Sequence, residues 1–249
     1  MSPSTPAAAF APQADQPARL VTLSSHCPVS PAPNRASAIV RLAVALLAIL
    51  GAVATIGVAG TGTAAAASVE RGRVADPVAE QAALALSLWR QYETSGDAAT
   101  LAAYTSQRDA VATSIAGRVL VDAPTMQQAW AAADAEHQEA LLAGLTQLGV
   151  PYRRNTSKEG EGFDCSGLTT YAWGQAGFVL TRQSTTQIRR AAPRTFDTAQ
   201  AGDLVQYPGH VMLWLGVGKT ILHSPYPGRN VEVDTLSSRH SLKIGDPTG

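Results

Sequence analysis

Cysteine occurs twice in the 249 residues, at Cys27 and Cys165, and only the second has a setting suited to chemistry. Cys165 follows a polar loop (RRNTSKEGEG), lies in the string FDCSGL, and precedes LTTYAWGQAG, which reads as a short helix closed by Gly177. Asp164 is of the residue type that caps a helix start, and this puts Cys165 in the first turn. Unpaired N–H groups and the positive end of the helix dipole favour a thiolate there, so the position predicts a lowered thiol pKa. The same N–H groups can hold the oxyanion formed when sulfur attacks a carbonyl.

A cysteine nucleophile needs a base, and the base needs an orienting partner. Downstream, GDLVQY (202–207) reads as a strand, Pro208-Gly209 as a turn, HVMLWLG (210–216) as a second strand and TILHS (220–224) as a third. His210, Met212 and Trp214 share one strand face, and Ile221 and His223 share one face of the next. A two-residue loop at Val217-Gly218 or Gly218-Lys219 sets His223 opposite Met212 or Trp214, on the His210 face. With Met212 opposite, the two histidines are diagonal neighbours within side-chain reach. A three-residue loop without a bulge would put them on opposite faces, so the register decides whether a site exists.

The elements ahead of these residues look helical and carry no chemistry. Asp76-Pro77 starts a helix whose apolar face (Val78, Ala82, Ala85, Trp89, Tyr92) runs until Gly96. A second starts near Asp97 and places Leu101, Tyr104, Val111 and Ile115 on one side before Gly117. A third has Thr125 and Gln128 in capping-box spacing, then Met126, Trp130, Ala133, His137, Leu141 and Leu145 in one stripe as far as Gly149. Inside that stripe His137 is expected to be a hydrogen-bonded or half-exposed histidine rather than a ligand.

Composition narrows the function classes. Lys plus Arg equal Asp plus Glu at 19 each, so no net field argues for nucleic acid as a partner. Two cysteines exclude a disulfide scaffold and a four-cysteine zinc site, and neither a metal nor a cofactor is required. Leu42 to Gly60 is a 19-residue run without charge, preceded by Arg19, Arg35 and Arg41 against Asp15. As a helix it would span roughly 28 Å, close to a bilayer core. With the small-residue stretch TAAAA (63–67) behind it, the run reads as a signal peptide, with an uncleaved membrane anchor as the alternative. Either reading places the remainder outside the cytoplasm: secreted or in the cell wall, or anchored to the plasma membrane with the catalytic part outside. Residues 1–35 read as a disordered leader. The exported part would carry 16 basic and 18 acidic residues and a single thiol.

GVPY, FDCSGL, RQSTTQ (182–187), GDLVQY, GHVMLWLG and ILHSP together, in this order, resemble the NlpC/P60 family of cell-wall cysteine peptidases over roughly residues 136–249. The resemblance implies a papain-like α+β fold, with the cysteine helix packed on a small antiparallel sheet. The organisation expected is a leader with signal or anchor at 1–67, a helical region at 68–135 and the peptidase domain at 136–249. The resemblance further implies an endopeptidase acting on peptidoglycan stem peptides, often at the bond between D-γ-glutamate and the diamino acid. Residue by residue, Cys165 matches the nucleophile, His210 the base and His223 the orienting residue. Tyr152, Asp164 and Ser184 match positions lining the substrate groove. Asp164 and Tyr152 suit an amine or a peptide polar group and Arg182 a stem-peptide carboxylate, or Asp164 caps its helix and Arg182 is a solvated charge. The Trp-Gly-Gly that often follows the tyrosine is here Arg153-Arg154-Asn155, a departure in the groove loop. A regulatory protein docking on the helical region is a further expected partner. The competing classes are a non-catalytic wall-binding or regulatory module of the same fold, and a cysteine amidase or acyltransferase.

Overall fold

The computed structural model describes residues 72–237 and 241–249. The leader, the apolar run at 42–60 and its expected cleavage site lie outside the described residues, as does His240. Among the described residues no helix is long and apolar enough to cross a membrane.

Four helices come first: α1 (Pro77–Ser95), α2 (Ala98–Val119), α3 (Ala123–Ala132) and α4 (Ala135–Leu145). The first two start as expected. Asp76 accepts from the Val78 N–H and Asp97 from the Thr100 N–H, each satisfying a donor that has no partner inside the helix. Two expectations need correction. Thr125 does not begin the third helix; Asp122 does, accepting from both the N–H and the hydroxyl of Thr125. Nor does one helix carry the stripe from Met126 to Leu145, because Ala133 and Asp134 are extended and separate α3 from α4. Gln200 holds this break, its amide oxygen 2.6 Å from the Asp134 N–H and its amide nitrogen 2.7 Å from the Asp134 carboxylate. That contact spans 66 residues of chain, which is why the local pattern did not announce it.

The short strands β1 (Ser157–Lys158) and β2 (Gly162–Phe163) lead into α5 (Cys165–Gln175). Then follow α6 (Ser184–Arg190), β3 (Ala192–Arg194), β4 (Leu204–Tyr207), β5 (His210–Trp214), β6 (Thr220–His223), β7 (Glu232–Thr235) and β8 (Lys243–Asp246). The last six form one antiparallel sheet in the order β3-β8-β4-β5-β6-β7. This is the α+β arrangement expected. The sheet is covered on both faces. Val211, Leu213, Leu215, Leu204 and Leu222 join the core formed with α4 and α5, while Val205, Met212, Trp214, Ile221 and Ile244 form a second cluster on the other side.

The boundary expected at 135/136 is not a break in packing. Val78, Tyr104, Val111, Ile115 and Trp130 belong to the same buried cluster as Phe163, Leu168, Trp173 and Leu213. Trp130 also donates from its ring nitrogen to the Leu215 carbonyl at 2.8 Å. Of the two expectations for His137, hydrogen-bonded or half-exposed, the first holds: it is buried, with its Nε2 3.0 Å from the Asp203 carboxylate and its ring edge-on to Trp173.

Candidate active site

Cys165 is the first residue of α5, and Asp164 caps that helix by accepting from the Gly167 N–H at 2.7 Å. Gly167 is required by space: a Cβ there would stand 2.0 Å from the Thr156 carbonyl oxygen and 2.9 Å from the Asp164 carboxylate. The small residue in DCSG therefore lets the loop at Thr156 close over the helix start. The sulfur is half-buried. Burial pushes the Cys165 thiol up; the backbone N–H of Val211 pulls down, the Asp164 carboxylate pushes up, and the N–H groups of Ser166 and Cys165 pull down again. The net direction is upward, against the lowered thiol expected from the helix start alone: burial outweighs the N–H groups around the sulfur.

The register resolves the question left by the β5–β6 loop. Leu213 pairs with Leu222 and Trp214 with Ile221, which continues to Met212 opposite His223. His210 and His223 thus share a face, with His210 Nε2 3.0 Å from His223 Nδ1 and each residue 7% exposed. Both rings are held neutral, His210 pushed down to about 4 by burial and His223 to about 3 by burial, then by His210 and Arg229.

Tyr207, absent from the sequence-based set, ties the thiol to this pair. It is paired with His210 across the Pro208-Gly209 turn, its ring centroid 5.2 Å from the imidazole. Its own pKa is raised by burial and then by Cys165, so sulfur and imidazole share it as a neighbour. Tyr152 borders the same sulfur: its pKa is raised by burial, then by Cys165 and Asp164. Ser224, one residue beyond His223, donates to the Phe163 carbonyl at 2.7 Å and ties the end of β6 to the cysteine segment.

The remaining expected groove residues are Arg182, Asp164 and Ser184. Arg182 Nη2 lies 2.9 and 3.0 Å from the two Asp164 oxygens, and its guanidinium also reaches the Thr156 carbonyl and the Ser166 hydroxyl. Arg182, its side chain still 38% exposed, braces the cap of the cysteine helix. Asp164 is correspondingly engaged by Gly167, Ser166 and Arg182. Ser184 is half-buried at the first position of α6. Among the described residues, no hydrogen bond is seen from it to Cys165, His210 or His223.

A thiol at a helix start beside two strand-borne imidazoles, on an antiparallel sheet faced by helices, is the class of site and fold defined here. Residues 149–244 match the NlpC/P60 family model, and that segment of the chain is an NlpC/P60 domain. A protein of Corynebacterium glutamicum named as a probable endopeptidase is 34% identical over 126 residues, 49% of this chain and 56% of that protein. The gamma-D-glutamyl-L-lysine dipeptidyl-peptidase of Bacillus subtilis is 32% identical over 108 residues, 40% of this chain and 36% of that protein. Among solved structures, the P60 domain of an antigen from M. avium subspecies paratuberculosis aligns with TM-score 0.40 and 25% identity, covering 45% of this chain and 94% of that domain. The match to the Corynebacterium protein thus takes in little more than half of that relative's length, and that to the Bacillus protein about a third.

Proposed function

We propose that the chain is an exported cysteine peptidase that hydrolyses peptidoglycan stem peptides at the bond between D-γ-glutamate and the diamino acid. The observation that carries this reading is the His210–His223 pair, buried, neutral and 3.0 Å apart, at the strand end beside the Cys165 helix. The names of the relatives support the substrate class: one is a gamma-D-glutamyl-L-lysine dipeptidyl-peptidase, another a murein DD-endopeptidase.

In this mechanism His210 Nδ1 takes the thiol proton as Cys165 Sγ bonds to the scissile carbonyl carbon. Because burial raises the thiol and lowers the imidazole, transfer accompanies attack rather than preceding it. The oxyanion lies by the first N–H groups of α5, which have no acceptor inside the helix. As the C–N bond breaks, His210 returns the proton to the leaving amine, leaving a thioester. Water then attacks the thioester carbon while His210 takes one of its protons; the C–S bond breaks, the thiol is reprotonated and the carboxylic acid is released. His223 accepts the other ring N–H of His210 throughout. Tyr152 and Tyr207 border the sulfur. Export rests on the apolar run at 42–60 behind its arginines, and on nothing else.

The full chain is incubated with purified peptidoglycan and the soluble fragments are weighed by mass spectrometry, with Cys165→Ala and His210→Ala alongside. Fragments cut after D-γ-glutamate are expected, with release slowed about a thousandfold or more in both variants. Release at the native rate by either variant would sink the mechanism. Intact stem peptides with every protein would replace it with a wall-binding module.

A further inference from the structure

His223 has a second ring nitrogen that the mechanism above leaves unused. Nε2 is buried and without a hydrogen-bond partner. It faces Glu232, which is paired directly opposite on β7, with Glu232 Oε1 3.6 Å away, about half an ångström beyond hydrogen-bond distance. Glu232 is itself fixed: Arg229 Nε lies 3.2 Å from its Oε2, and Arg229 Nη2 bonds its Oε1. A carboxylate only accepts, so what it faces is constrained.

The two neutral rings share one proton across the 3.0 Å contact, and this leaves two arrangements. In the first, His210 carries its proton on Nε2 and donates to His223 Nδ1; His223 then carries its own on Nε2, toward Glu232, and His210 Nδ1 is a bare lone pair. In the second, His223 donates from Nδ1, its bare Nε2 meets the carboxylate lone pairs, and His210 is protonated on Nδ1, where it can take nothing from a thiol. Only the first gives a base. We propose that Glu232 is a positioning residue that selects it, its carboxylate charge beside Nε2 favouring the proton there and so fixing the tautomers of both histidines. The inference deepens the cysteine-peptidase reading and, for its effect on rate, rests on it.

The test has two readouts on the full chain. Ring-nitrogen NMR of the resting protein at neutral pH reports the tautomers without any substrate: His210 and His223 are both expected as Nε2–H. In Glu232→Ala the second arrangement is expected to appear, and kcat on peptidoglycan fragments to fall about tenfold or more while KM stays within about twofold. Glu232→Gln keeps an acceptor and is expected between the two on both readouts; it also guards against a folding defect in the alanine variant. His223 protonated on Nδ1 in the native protein, or tautomers and kcat unchanged in both variants, would overturn the proposal. If the native protein cuts no stem peptide yet the tautomers respond to Glu232, the functional reading fails while Glu232's control of the histidines stands.

Discussion

His210 and His223 are each 7% exposed, and the fold holds them neutral, at about 4 and about 3. A general base works only unprotonated, so the acid limb of kcat/KM is expected near pH 4 and not at the ordinary histidine value of 6.5. The groups facing the pair are Tyr207 and Cys165 on the His210 side, and Arg229, Glu232 and Asp234 on the His223 side; a pH–rate profile checks the limb, and an inflection at 6.5 would contradict it. Stability follows the same shifts. Below 6.5 the unfolded chain binds protons that the folded chain refuses, so stability is full above 6.5 and is lost as pH falls toward 4 and 3. Thermal unfolding at descending pH should show this loss, and His223→Gln should reduce its slope. At this scale the sequence was informative: Cys165, His210 and His223 stood out by type and spacing, and the register put the histidines in contact. What escaped it depended on partners distant in the chain. The thiol's direction is set by burial, Tyr207 matters through the hairpin, and Arg182 is taken by Asp164, 18 residues away.

The cysteine helix is the element on which the site depends, and its start is braced three ways: by Asp164, by Arg182 and by the Thr156 carbonyl pressed against Gly167. Gly167→Ala would drive its Cβ into a backbone oxygen 2.0 Å away, which no side-chain rotation relieves. The loop must move, and with it Thr156, Arg182 and the cap. A loss of about 2 kcal/mol or more is expected in denaturant unfolding, with loss of peptidase activity; native stability in this variant would mean that the loop yields freely. Helix starts were readable because an aspartate cap is a local signal, as at Asp76, Asp97 and Asp164. The break between α3 and α4 was not, since Gln200 makes it from afar. Nor were β7 and β8, whose residues (EVDT and KIGD) lack an alternating apolar pattern; pairing with β6 and insertion between β3 and β4 make them strands.

Across the whole molecule, the helices ahead of the NlpC/P60 segment and the segment itself share one interior. Ala82, Ala85, Tyr104, Val111 and Ile115 are buried at 0 to 2% exposure in the cluster that also holds Leu141, Trp173 and Leu213. An alanine-rich amphipathic pattern announces helices, but not what their apolar faces will cover, so this union could not be read from the chain. Its consequence is that residues 136–249 alone would expose one side of their core. Trp130 measures the dependence: it is 1% exposed, lies outside the matched segment, and donates to the Leu215 carbonyl just beyond β5. Trp130→Ala removes a large buried ring and leaves that carbonyl without its donor, so a loss of about 3–5 kcal/mol is expected. The fragment 136–249 should unfold without the cooperative transition of residues 72–249. Circular dichroism and denaturant titration of the variant and the fragment test both; a fragment as stable as the longer chain would show that the helical region is an appendage to the peptidase core and not part of it.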